Sequence, residues 1–143
     1  MIGSFDTSGC PTIKIKVSGI TGKPTEFTAL VDTGFSGFLS LPMLSAFPLG
    51  LVLSGTMNIT LADGSTHVRL TCRGMVEIDG SKKIGLITLE TGASDVLVGM
   101  EFIAKFNKQL VVCPKNSSIE LIDAPAPIPK PVPTDQPNPP PAP

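Results

Sequence analysis

The stretch Ala29-Leu30-Val31-Asp32-Thr33-Gly34-Phe35-Ser36-Gly37 is where this sequence concentrates residues able to do chemistry. An apolar strand delivers a carboxylate straight into a turn made of glycine and small hydroxyl residues. An aspartate placed directly after Leu-Val loses part of its hydration, which costs free energy unless hydrogen bonds replace it. The next residues can supply them: Gly34 lets backbone N–H groups approach, and Ser36 can donate to an outer carboxylate oxygen. The Thr33 hydroxyl can lock the loop against a neighbour. A carboxylate held in this way is suited to moving protons. Asp-Thr-Gly alone also serves as an Asx turn or a helix cap. The apolar run before it and the Phe-Ser-Gly-Phe-Leu after it weight the reading toward catalysis.

Other reactive side chains are sparse. His67 is the single histidine, which argues against a zinc site or a triad built on an imidazole, and no metal or cofactor is expected. Cys10, Cys72 and Cys113 are isolated, odd in number and without metal-type spacing. No disulfide framework is expected, and a reducing, cytoplasmic setting is the default. Glu77, Glu90 and Glu101 show no pairing that would make a second carboxylate site, and Lys14 and Lys16 read as one solvated strand face.

The elements that must position Asp32 read as short strands. Thr12 to Val17 alternates apolar and polar, Gly19 to Pro24 is turn material, and Thr25 to Val31 runs into Asp32. Phe38 to Leu41 is a further strand, stopped by Pro42; Pro42 to Gly50 is either a loop or one turn of helix. Asn58 to Leu61 and His67 to Thr71 flank a hairpin signal at Asp63-Gly64, and Gly74 to Ile78 and Lys83 to Leu89 flank a second at Asp79-Gly80. Val96 to Val98 is a short, wholly apolar strand ending at Gly99. Met100, Phe102, Ile103 and Phe106 share a helical face, so a short helix is expected over Met100 to Phe106. Leu110 to Cys113 and Ser118 to Ile122 read as closing strands. The sum is a mainly β domain, closed or sandwich-like, over residues 1–123.

Composition sets the outer limits. The chain has 143 residues, 41% of them hydrophobic and 16% charged, with seven Phe but no Trp or Tyr. That is enough apolar material for one core rich in β-branched and aliphatic residues. Net charge is −1 and the basic residues are scattered, so no nucleic-acid partner is expected. No stretch has the pattern of a signal peptide, and no apolar run approaches the roughly 20 residues that span a bilayer, so no membrane partner is expected. From Ala124 to Pro143 ten of twenty residues are proline. Residues 124–143 therefore read as an extended, disordered tail or spacer that cannot join a sheet.

The loop around Asp32 resembles the active-site loop of retropepsin-like aspartic proteases. Val96-Leu97-Val98-Gly99 before Met100-Glu101-Phe102-Ile103 resembles the apolar segment that passes behind that loop ahead of a short helix. Leu61-Ala62-Asp63-Gly64-Ser65-Thr66 resembles the tip of a flap hairpin. The resemblance implies an all-β fold, a small closed β-barrel lobe with a flap and one short C-terminal helix. It implies an aspartic endopeptidase in which two aspartates share a proton and activate a water. This chain offers one Asp-Thr-Gly, since Asp63, Asp79 and Asp95 lack the following Thr/Ser-Gly. The resemblance therefore implies a homodimer with Asp32 from each subunit. Thr33 and Gly34 would support the loop, Ser36 would steady Asp32, and Val98 and Gly99 would back it. Ala62, Asp63, Gly64 and Ser65 would close over an extended polypeptide substrate. Met100-Glu101 departs from the Arg-Asn or Arg-Asp pair of viral members, and the flap has fewer glycines.

Two other readings belong to different classes. A catalytically silent binding or regulatory module could use the same fold. A small β-barrel adaptor, with Asp-Thr-Gly as a mere turn, predicts a functional monomer.

Overall fold

The computed structural model describes residues 1–19 and 22–129. Ten strands carry the fold: β1 (Ser4–Phe5), β2 (Pro11–Ser18), β3 (Thr25–Val31), β4 (Leu39–Pro42), β5 (Val52–Thr60), β6 (Thr66–Ile78), β7 (Ser81–Glu90), β8 (Val96–Val98), β9 (Lys108–Cys113) and β10 (Ser118–Asp123). Helix α1 is Met43–Ala46 and helix α2 is Met100–Lys105. Strands β2, β3, β8, β4, β7 and β6 follow one another in hydrogen-bonded order, and β6 pairs back onto β2. Six strands thus form a closed ring, which leaves few unpaired edges. β1 lies outside β2, and β5 extends from β6 as a hairpin arm. β9 and β10 pair separately, and Ile2 bridges to Glu120.

The ring forms because its strands alternate. In β2, Ile13, Ile15 and Val17 are buried while Lys14 and Lys16 are exposed. Each such aliphatic side chain contributes about 1.5–3 kcal/mol when fully buried. β8 is apolar throughout because it has a strand on either side: β3 pairs with it in parallel and β4 antiparallel. Phe38, Phe102 and Phe106 fill the end of the core beside it, with ring centroids 4.7–6.4 Å apart.

Several boundaries differ from the sequence reading. His67–Thr71 and Gly74–Ile78 are parts of one strand, β6, because β5 pairs with its first half while β7 pairs with its second. Pro42 ends β4 rather than lying beyond it, and one helical turn, α1, follows at once. On α2, Phe102 and Ile103 are buried, and Phe106 just beyond is buried too, but Met100 is 45% exposed, since it sits in the first turn and points away from the core. Residues 124–129 continue without strand or helix; the rest of the Pro-rich stretch lies outside the described residues. No helix among the described residues is long and apolar enough to cross a membrane.

Candidate active site

Asp32 is the first residue past β3, and its position is fixed by the strand that β3 flanks. The parallel register Ala29↔Val96, Leu30↔Leu97, Val31↔Val98 ends in a hydrogen bond from the Asp32 N–H to the Val98 carbonyl, 3.0 Å. The next residues turn sharply: the Phe35 N–H donates to the Asp32 carbonyl at 3.2 Å. The turn is then clasped from behind. Met100 N–H donates to the Phe35 carbonyl at 2.8 Å, Glu101 N–H to the Ser36 carbonyl at 3.2 Å, and Gly99 N–H to the Phe38 carbonyl at 3.4 Å. Loop 32–37 therefore hangs on the β8–α2 junction by backbone alone.

Glycine at 99 is a steric requirement. A Cβ there would run into the backbone oxygens of Phe35 and Gly37, so any side chain would push the clasp apart. Val98 is fully buried beneath the loop. Asp32 itself is half-buried, while Thr33, Gly34 and Ser36 are exposed. One carboxylate oxygen, Oδ1, accepts the Gly34 N–H at 2.8 Å. Among the described residues Ser36 makes no hydrogen bond to Asp32, and the Thr33 hydroxyl has no partner. Within one chain, then, the backbone N–H of Gly34 is the one donor that the described residues bring to the Asp32 carboxylate.

Beside this loop lies a cleft of about 340 Å³, with Gly34 through Phe38 on one wall and Met57 through Thr60 of β5 on the other. Leu86, Thr88 and Glu101 complete it. Phe35 and Phe38 supply its aromatic lining. Val31 and Val98 are buried in the core, and Leu61 does not line the cleft. Met57, Ile59 and Leu86 were not singled out in the sequence, and Glu101 was noted there but not as a residue of the site. Their signal was faint: Met57 and Ile59 are alternate residues, so they share one face of a hairpin arm.

Ala62, Asp63, Gly64 and Ser65 form the turn at the end of that arm, between Thr60 and Thr66, and do not line the cleft. The turn is tied internally. Gly64 has φ +83°, its N–H donates to the Leu61 carbonyl at 2.9 Å, and Leu61 N–H donates to the Ser65 carbonyl at 2.9 Å. Asp63 Oδ1 accepts the Ser65 hydroxyl at 2.6 Å and the Ser65 N–H at 2.8 Å. These two bonds, the hydroxyl first, hold the Asp63 carboxyl below the usual carboxylate range. His67 follows on β6, exposed, with Nε2 3.2 Å from the Ser65 hydroxyl. Asp79 lies in the turn between β6 and β7, and Asp95 lies in an exposed irregular segment before β8, so neither stands in a loop like that of Asp32.

A closed six-stranded β-ring with an aspartate loop clasped from behind by an apolar strand, under a hairpin arm, defines an aspartic-protease-like lobe. The sequence matches the retroviral aspartyl protease family over residues 7–124, and the chain belongs to that family. Its fold is similar to EIAV protease complexed with the inhibitor HBY-793, with TM-score 0.59 and 14% identity over 76% of this chain and 99% of that one. It is also similar to a retropepsin-like aspartic protease from Rickettsia conorii, with TM-score 0.58 and 18% identity over 83% of this chain and 86% of that one. No curated protein matches the sequence.

Proposed function

We propose that this chain is an aspartic endopeptidase whose active site forms when two copies meet, each contributing Asp32. The observation that carries the reading is a single half-buried aspartate in a backbone-clasped loop, whose next residues, from Gly34 on, line a cleft, and whose second carboxylate oxygen accepts no hydrogen bond from the described residues. Two carboxylates at hydrogen-bond distance cannot both ionise, so the pair shares one proton. The ionised Asp32 takes a proton from a water, whose oxygen attacks the scissile carbonyl carbon. The protonated Asp32 donates to the carbonyl oxygen, giving a tetrahedral diol. A proton then passes to the amide nitrogen and the C–N bond breaks.

Thr33, exposed and without a hydroxyl partner in one chain, would reach the facing loop. Ser36 would bond the outer carboxylate oxygen in the dimer, with Val98 and Gly99 as the backing. The hairpin arm, with Ala62 to Ser65 at its tip, would close over an extended polypeptide. Exposed Met100 beside the clasp, and Val111 and Ile122 on the β9–β10 pair, leave apolar surface for the second copy. The working unit would be residues 1–123, with 124–143 as a spacer. Three free cysteines fit a reducing, cytoplasmic setting.

The test is cleavage of an unfolded protein mixture between about pH 4 and 7, read by mass spectrometry. Asp32→Asn is expected to lower the rate by about 10³-fold or more. Adding an equal amount of Asp32→Asn to a fixed amount of wild type should roughly halve the wild-type activity, because mixed dimers hold one carboxylate. A mutant that stays dimeric and still cleaves sinks the mechanism, and a well-folded dimer that cleaves nothing points to a binding module.

A further inference from the structure

The cleft beside Asp32 has an uneven chemical lining. Phe35, Met57, Ile59 and Leu86 give it apolar walls, and Glu101 is the single charged residue among the described residues that line it. Glu101 is not loosely attached: its N–H donates to the Ser36 carbonyl, which ties it to the same loop that carries Asp32. That bond and the one from Met100 occupy the carbonyls of Phe35 and Ser36, so the polar character left on this wall comes chiefly from side chains. The nearby cation on the arm, Arg69, stands opposite Met57 in the hairpin register but is paired with Glu90 and does not line the cleft.

We propose that Glu101 is a specificity-determining residue that makes this cleft select a lysine or arginine side chain of the substrate. The inference rests on the protease reading above and names the substrate class of that site. A long basic side chain matches both features, with an aliphatic stem for the apolar walls and a cationic head for the carboxylate. Lys105, one helical turn on, lies 3.2 Å from Glu101 Oε1, and its ammonium also sits 5.2 Å from the centre of the Phe38 ring. Both partners of that ion pair are substantially exposed, at 38% and 46%, so the pair is weak and yields to a cation bound inside the cleft. In a two-fold dimer the cleft occurs twice, related by the axis through the shared aspartates. Basic residues are therefore selected at the same number of positions before and after the scissile bond.

The experiment uses the full chain and a library of extended peptides, with cleavage sites read by mass spectrometry. Wild type should show Lys and Arg enriched at one pair of positions placed symmetrically about the cut. A matched pair of peptides, Lys against norleucine at that position, then gives a ratio of kcat/KM. Glu101→Gln should lower this ratio about fivefold, and Lys105→Met should raise it. Raising ionic strength should lower it for wild type but not for Glu101→Gln. A purely structural effect of either substitution would change both peptides alike and leave the ratio unmoved, which would overturn the inference. Asp32-dependent cleavage without symmetric basic enrichment overturns this inference alone. No cleavage of any library member takes down the protease reading and this inference with it.

Discussion

At the scale of single residues, the site depends on what is missing as much as on what is present. Gly99 has an ordinary extended backbone, with φ −109°, so its need is steric and not conformational. Gly99→Ala is expected to cost about 3 kcal/mol, the range of overpacking in a tight core. Tm should fall on the order of 10 °C, read by calorimetry, and activity should be lost even where the protein stays folded. Cys72 offers a second residue-scale check. It is buried, and burial pushes its thiol up, so it should resist alkylation at neutral pH until the protein unfolds. Exposed Cys10 should label at once in the native protein, as mass spectrometry of the labelled peptides would show.

At the scale of elements, legibility tracked periodicity. β3 and β8 were readable to the residue: β8 is a wholly apolar run between turn residues, and β3 is bounded by the turn material before Thr25 and by Asp32 after Val31. β6 was read as two strands, because sequence patterns do not reveal that a strand changes partners midway along its length. The same blindness hid half the cleft. Asp32 announces itself by its neighbours, whereas Met57, Ile59 and Leu86 join it only through tertiary pairing, and on their own strands they look like ordinary apolar positions. Glu101 was seen as an unpaired acid on a helix, and only the clasp to Ser36 brings it to the site. The hairpin turn carries its own prediction. Asp63 is held in its ionised form by Ser65, so its support is present above its unfolded pKa and is lost as pH falls through the lower, folded one. The protection of the Gly64 and Ser65 amides, taken against their intrinsic exchange rates at each pH, should therefore fall at strongly acidic pH, and Asp63→Asn should show the same loss already at neutral pH.

At the scale of the whole molecule, the chain is a ring closed on itself, with the Asp32 loop half-exposed at its surface. If the site completes only on pairing, specific activity should fall on dilution, and light scattering should show the mass falling over the same concentration range. Activity that stays proportional to protein concentration throughout, in a demonstrated monomer, would separate function from pairing. The exposed apolar groups near the clasp and on β9 and β10 give that pairing a surface, and replacing Met100 with Lys should weaken association without changing the fold.

The clasp behind Asp32 also sets an order of events during synthesis. Loop 32–37 hangs on Val98, Gly99, Met100 and Glu101, which leave the ribosome long after Asp32 does. Contacts so distant along the chain form late in folding. Until Glu101 is out, the emerging polypeptide carries its aspartate in a loop with nothing behind it. On the proposed function a growing chain is thus unarmed, and cleavage would begin only once the whole ring has been made.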